Sequence, residues 1–151
     1  MSDSGPGFPA VVMDASAFLA LVLSEERGGE VERVLADIIT QNGQVLVPPL
    51  FWHEVMNGLV TSVRRKRIST ADLRTIEADI SRLPLSQDQA PSEFIRQRIR
   101  EYTLEHNLSF YDASYLELAL RHTMPLLTMD KHLLDLHEHY PEVILTLSSP
   151  V

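Results

Sequence analysis

The chain has no cysteine, and only 6 of its 151 residues are glycine. The first absence excludes disulfides, zinc-thiolate centres and thiol nucleophiles, and it suits a cytoplasmic location. The second leaves little from which to build a Walker loop or a Gly-rich dinucleotide turn. Neither pattern occurs, and no serine-nucleophile elbow is present. No apolar run approaches the roughly 18 to 20 residues that cross a bilayer, so no membrane association is expected. Residues 1–9 are rich in Gly, Pro and Ser and lack the charged-then-apolar pattern of a signal peptide. They are expected to form a flexible tail, and residues 148–151 a shorter one. With 44% hydrophobic residues, residues 10–147 fit a single domain with one core.

A basic balance is also missing. Lys and Arg number 13 against 21 Asp and Glu, a formal charge of −8, whereas general nucleic-acid binders are usually basic. The positive charge is nonetheless concentrated. Arg64, Arg65, Lys66 and Arg67 form one block, and Arg96, Arg98 and Arg100 a second cluster. Arg96 and Arg100 share a helical face at i, i+4 spacing. Each block reads first as a solvated helix surface. An acidic protein can still use such patches to hold RNA, with strong salt dependence.

The hydrophobic pattern alternates between strands and helices. Ala10–Met13 is a short buried strand, followed by an all-round apolar helix over 16–23 and an amphipathic helix over 25–39. Val45–Val47 is a second strand, stopped by Pro48 and Pro49. A helix then runs from Leu50 to the basic block. Ser69 to Asp72 resembles a capping box that opens another helix. Leu83-Pro84-Leu85 fits a short edge strand. Helices over 91–105 and from Ser109 follow, then a strand over 125–128, a helix over 131–139 and a closing strand over 143–145. Such alternation predicts an α/β fold, a mostly parallel central sheet flanked by helices on both faces.

Four acids stand out in this frame: Asp14, Glu54, Asp112 and Asp130. Each follows a strand or lies near the start of a helix, and in a wound α/β fold those ends gather along one sheet edge, where ligands bind. Taken singly, Asp14 and Asp130 are good N-caps, Asp112 completes a Ser109 capping-box variant, and Glu54 suits a helix dipole. Taken together, they converge. Two carboxylates about 5 Å apart repel by roughly 3 kcal/mol at an effective dielectric of about 20, so four in one place call for a cation or for protons. All-oxygen donors select hard ions, Mg²⁺ or Mn²⁺, and the chemistry such ions best serve is phosphodiester hydrolysis. Ser16, Asn57 and Thr128 lie close in sequence to these acids and could hold metal-bound waters or a phosphate. Local capping is their simpler role. His53-Glu54 opens like a zinc-protease HExxH, but Asn57 stands where the second His must be. His132, His137 and His139 are expected to be exposed helix and turn residues without a closed metal pattern. Phe51 and Trp52 are expected to anchor the core.

Several runs resemble the motifs of PIN domains. They are Val12-Met13-Asp14-Ala15-Ser16-Ala17-Phe18-Leu19-Ala20, Glu54 with Asn57, Tyr111-Asp112-Ala113-Ser114-Tyr115-Leu116-Glu117-Leu118-Ala119, and Leu127-Thr128-Met129-Asp130-Lys131. Spacing and size are similar to those of the VapC toxins of toxin–antitoxin pairs, over residues 10 to 147. The resemblance implies a parallel sheet flanked by helices and a Mg²⁺- or Mn²⁺-dependent endoribonuclease. It also implies a homodimer and inhibition by a VapB-type antitoxin. Asp14, Glu54, Asp112 and Asp130 would be its catalytic and metal-binding quartet, with Asp14 and Asp112 the direct ligands. Two other readings are open: a PIN-like module that binds RNA or protein without cutting, and a phospho-acceptor receiver domain. The receiver would need adjacent acids after the first strand, and Asp14 has no acidic neighbour.

Overall fold

The computed structural model describes residues 9–147; the expected tails over 1–9 and 148–151 lie outside the described residues, apart from Pro9. Four parallel strands form one sheet in the order β3-β2-β1-β4. β1 (Ala10–Met13) pairs with β2 (Gln44–Val47) on one side and with β4 (Leu126–Leu127) on the other, and β2 pairs with β3 (Leu85–Gln87). Val11, Val12 and Met13 are fully buried, as a central parallel strand covered on both faces requires. The chain winds outward from β1 to β3 and then returns past β1 to β4. Right-handed crossovers therefore place the early helices on one face and the late helices on the other.

The helices follow from local signals. Asp14 caps α1 (Ala15–Val22), and Ser24 in the left-handed region (φ 53) ends the turn after it. For that reason α2 covers Gly28–Thr40 and starts three residues later than the periodicity suggests. α3 (Leu50–Arg64) begins directly after Pro48-Pro49, and α4 (Thr70–Ile80) carries the full reciprocal capping box between Ser69 and Asp72. α5 (Glu93–His106) ends at Asn107 in the left-handed region, and Ser109 caps α6 (Phe110–His122). α6 is buried along most of its length. Its Glu117, 2% exposed, accepts two bonds from Arg121, at 2.8 and 3.1 Å. Arg121 Nη2 reaches on to Asp88 Oδ2 at 2.7 Å, which ties α6 to the end of β3.

Several expectations need correction. The closing strand over 143–145 is a single parallel bridge, Ile144 to Leu126. The helix over 131–139 is only α7 (Lys131–Leu134), followed by turns. The first has its cause in the neighbouring strand. β4 is two residues long because Thr128 leaves the ladder to bond the β1–α1 junction, so little strand remains for a neighbour to pair with. The edge strand also sits slightly later than read, starting after Pro84, whose carbonyl accepts from Val45 N–H at 3.0 Å. Phe51 is a core residue as expected, whereas Trp52 is half-buried and donates its Nε1–H to Gln87 Oε1 at 2.8 Å.

Gly28 lets α2 approach α1: a Cβ there would fall 2.5 Å from the Ala20 carbonyl oxygen, whereas one on Gly29 would meet nothing within 4 Å. Gly28→Ala should therefore lower stability by about 1–3 kcal/mol. Gly29→Ala should be neutral or stabilising by up to about 1 kcal/mol. Urea denaturation of the two variants checks the pair.

Candidate active site

β1 and β4 are neighbours that lead into connections on opposite sides of the sheet, which makes the crevice at their carboxyl ends the switch point of this fold. Asp14 follows β1, and Asp130 comes three residues after β4. α3 and α6 both start at this edge, α3 because it follows β2 and α6 because it must run back to feed β4. They deliver Glu54 and Asp112.

Asp14 is 3% exposed. Its Oδ1 accepts from Ser16 Oγ–H at 2.6 Å and Ala17 N–H at 3.0 Å, and its Oδ2 accepts from the Thr128 hydroxyl. Ser16 Oγ in turn accepts from Met129 N–H at 2.9 Å, and Thr128 Oγ1 from Asp130 N–H at 3.0 Å. The two hydroxyls thus knit the segment after β4 onto the start of α1. Thr128 is fully buried, so its hydroxyl holds a carboxylate and does not reach a phosphate. The same is true of the Ser16 hydroxyl hydrogen. Burial outweighs these three donors and pushes the Asp14 carboxyl up to about 7, and the charge of Asp112 adds to the effect.

Asp112 connects the other acids. It lies in the first turn of α6, where its N–H bonds Ser109 Oγ at 3.0 Å; the reciprocal carboxylate bond of a capping box is not formed, so its oxygens face the crevice. Burial raises its carboxyl and the charge of Asp130 adds to that, partly offset by the Ser109 hydroxyl and by His132. Glu54 lies on the second turn of α3, not at its tip. Burial raises it too, opposed by the Tyr115 hydroxyl, and the charges of Asp112 and Asp130 push it further up. Asp130 caps α7 through Oδ1, which accepts from His132 N–H at 2.9 Å and Leu133 N–H at 3.3 Å. Asp14 and Asp130 are therefore caps and members of the cluster at once.

Two residues were not read as part of this site from the sequence. The Tyr115 hydroxyl donates to Glu54 Oε1 at 2.7 Å, and burial with that bond drives its own pKa upward, keeping it protonated. Its position three residues after Asp112, on the same helical face, was the available signal. His132 is the second. It is exposed, yet its Nδ1 lies 3.6 Å from Asp130 Oδ1, and one ligand atom from each of Asp112, Asp130 and His132 lies within 4.8 Å of the others. Its two-residue offset from Asp130 was the only sequence clue.

Asn57 is exposed one turn beyond Glu54. Arg96 and Arg100 line a surface hollow with Phe110, two residues before Asp112, while Arg98 turns aside to bond the Tyr102 hydroxyl at 2.9 Å. Arg64, Arg65, Lys66 and Arg67 are exposed at the far end of α3, about 15 Å along the helix from Glu54 at 1.5 Å per residue. The two basic clusters are therefore unequal neighbours of the acids.

The donor set fits a divalent cation. Carboxylate oxygens dominate it, and each carboxylate has more lone pairs than its hydrogen bonds consume, while burial raises the Asp14 carboxyl and a nearby cation would favour its charged form.

A PIN-domain family model matches residues 11–138. Ribonuclease VapC9 of Mycobacterium tuberculosis is 34% identical over 125 residues, covering 83% of this chain and 89% of the relative. Among solved structures, PAE2754 from Pyrobaculum aerophilum superposes with a TM-score of 0.63 at 22% identity, covering 85% and 86% of the two chains. A toxin–antitoxin complex from Klebsiella pneumoniae gives a TM-score of 0.60 at 22% identity, covering 93% of this chain and 99% of its counterpart. The chain belongs to the PIN-domain family, in the branch of the VapC ribonucleases.

The acidic cluster makes the metal-free protein sensitive to pH. The folded state holds the Asp14 proton more tightly than the unfolded chain, whose value is 3.8. This group therefore favours folding most below that value, and the advantage is lost as pH rises to about 7. The loss is at most about 4 kcal/mol. In EDTA, wild type should thus lose stability between about pH 4 and 7 relative to Asp14→Asn, and added Mg²⁺ should restore it. Melting curves of the two proteins across that range check this.

Proposed function

We propose that this chain is a Mg²⁺- or Mn²⁺-dependent endoribonuclease and the toxin of a toxin–antitoxin pair, with the activity carried by one domain over residues 10–147. The observation that carries the reading is the meeting of Asp14, Glu54, Asp112 and Asp130 at the switch point of a parallel sheet, with Asp14 buried and its carboxyl raised. Relatives named as VapC ribonucleases support the reaction class.

Asp14 and Asp112 would hold the cation, with Asp130 and His132 at its outer side. A bound ion of this kind lowers the pKa of a coordinated water and neutralises charge on a phosphoryl oxygen. Tyr115 fixes one oxygen of Glu54 and leaves the other to orient a water and take its proton. Burial, which raises the Glu54 carboxyl, makes it a better base than an ordinary glutamate. Ser16 and Thr128 keep Asp14 in place and act as positioning residues. Arg96 and Arg100 are the favoured contacts for the RNA backbone because they sit beside the helix that carries Asp112. Arg64–Arg67 would meet only a longer substrate.

The same geometry suits inhibition by a VapB-type antitoxin. An apolar cavity of about 290 Å³, lined by Pro48, Pro49, Ile95, Phe110, Tyr111 and Leu118, opens next to Asp112. Apolar anchors could fill it while an arginine forms paired bonds with the carboxylates and displaces the cation. The Klebsiella pneumoniae relative is described as a toxin–antitoxin complex. A homodimer and a cytoplasmic location complete the proposal; among the described residues no helix is long and apolar enough to cross a membrane.

Replacing Asp14 or Asp112 with Asn should reduce Mg²⁺- or Mn²⁺-supported RNA cleavage by at least about 100-fold, or about 3 kcal/mol of barrier, while circular dichroism still reports a folded protein. Wild-type rates in both variants would refute the acidic cluster as the catalytic centre, and a wild type that cuts no RNA with Mn²⁺ present, as in an EDTA control, would favour a module that binds RNA without cutting it. Replacing Arg96 and Arg100 with Gln should weaken RNA binding and reduce the salt slope by roughly one unit per lost phosphate contact. An unchanged slope would return them to the solvated surface. Expressed alone the chain should slow growth, and co-expression of an adjacent small frame should relieve it; a harmless chain with no small partner would remove the toxin role and leave the nuclease standing.

A further inference from the structure

A second group of metal-ligating side chains lies outside the acidic crevice and shares no residue with it. Glu105 and His106, at the C-terminus of α5, face His139, which lies in the turns that follow α7. One ligand atom from each of the three lies within 4.8 Å of the others. The His106 side chain is 7% exposed, and its Nε2 lies 3.9 Å from Glu105 Oε1. The rings are already arranged around one another: His106 and His139 are 5.0 Å apart between centroids, edge to face, and Tyr102 stacks on His106 at 6.3 Å. His106 Nε2 and the Tyr140 hydroxyl share a hydrogen bond of 2.7 Å.

We propose that Glu105, His106 and His139 form a binding site for a zinc-class transition metal ion, separate from the acidic crevice. The donor chemistry distinguishes the two places. Two imidazoles and one carboxylate suit Zn²⁺, Ni²⁺ or Co²⁺, whereas Mg²⁺ prefers oxygen alone. His₂Glu with a fourth position left open is an established zinc arrangement. Tetrahedral ligands at about 2.0 Å from an ion stand about 3.3 Å from one another, so the three side chains must close by at most about 1.5 Å. Glu105 and His139 are exposed and able to make that movement, while His106 is fixed between Tyr102 and Tyr140. The ion takes the Nε2 position that the Tyr140 hydroxyl now caps, and Tyr140 is left beside the bound carboxylate as an outer hydrogen-bonding partner.

The consequence lies in what the ion would join. His139 and Tyr140 lead into Val143 and Ile144, which pair with Leu126 on the free edge of β4, and β4 leads directly to Thr128 and Asp130. A metal at this place reinforces the join between α5 and the C-terminal segment that the His106–Tyr140 hydrogen bond already makes, in a segment that meets β4 through the one bridge at Ile144.

The test is thermal unfolding and cobalt spectroscopy of the whole chain in excess Mg²⁺, with ZnCl₂ or CoCl₂ as the probe. Zinc about 100-fold above its dissociation constant should raise the melting temperature of wild type by about 5–10 °C. Cobalt should give the visible bands of a tetrahedral complex. His139→Ala and Glu105→Gln should each abolish both signals and leave Mg²⁺-supported RNA cleavage unchanged. Asp112→Asn should keep both signals. Because His139 and Glu105 are exposed, these variants fold even if His106→Gln does not. The proposal is overturned if wild type shows no zinc shift, or if the shift survives His139→Ala, or if it disappears in Asp112→Asn, which would place the ion in the acidic crevice.

Discussion

A carboxylate buried at the end of the central strand is the constraint on which the site depends. Isolated, an ionised Asp14 in that position would cost several kcal/mol. Ser16, Thr128 and the Ala17 N–H answer it with three hydrogen bonds. To supply the Thr128 hydroxyl, the chain must leave β4 after two residues, and that early exit shortens the strand, reduces the last strand to one bridge and places Asp130 at the head of α7. Even so, the donors do not fully offset burial, and the carboxyl remains raised to about 7. The deficit is a feature that a cation can exploit, because an ion binds most strongly where the protein already lacks positive charge.

The remaining acids are arranged by the winding of the sheet. α3 and α6 have different neighbours and different caps, yet each starts at the carboxyl edge because each connects parallel strands. Asp112 is close enough to Asp14 and Glu54 to push both carboxyls upward, and is itself raised by the charge of Asp130. Tyr115 has a quieter part: a phenol that stays protonated and points at Glu54 decides which glutamate oxygen faces the crevice. The basic residues follow the same logic of place. Arg96 and Arg100 lie near the acids because α5 packs on α6, and Arg64–Arg67 are remote because α3 is 15 residues long.

Much of this was legible in the sequence. The strand Ala10–Met13 with Asp14 after it, the double proline before α3, and Ser109 three residues ahead of Asp112 carry their own local explanations, and the order of elements follows from them. What was not legible depends on tertiary geometry. Nothing in a run of apolar residues at 143–145 says that its neighbour strand will be cut short by a threonine bonding a distant aspartate. His132 has the spacing of an ordinary helix residue until α6 and α7 are set side by side. The hydroxyls of Ser16 and Thr128 were read as possible phosphate or water holders, but their hydrogens are taken up by Asp14. Polar side chains near an acid can serve it or serve a ligand, and only the direction of the hydrogen bond separates the two.

If the raised Asp14 carboxyl is a cation ligand, an arriving ion must displace its proton. The direct measurement is proton release on Mg²⁺ binding, read by calorimetry in buffers of different ionisation enthalpy. Near pH 6, binding should release about one proton per ion, and the release should fall toward zero near pH 8.5 as Asp14 becomes ionised before the metal arrives. Asp14→Asn should remove most of the release. Proton release that is zero at both pH values, with Mg²⁺ still bound, would contradict the account.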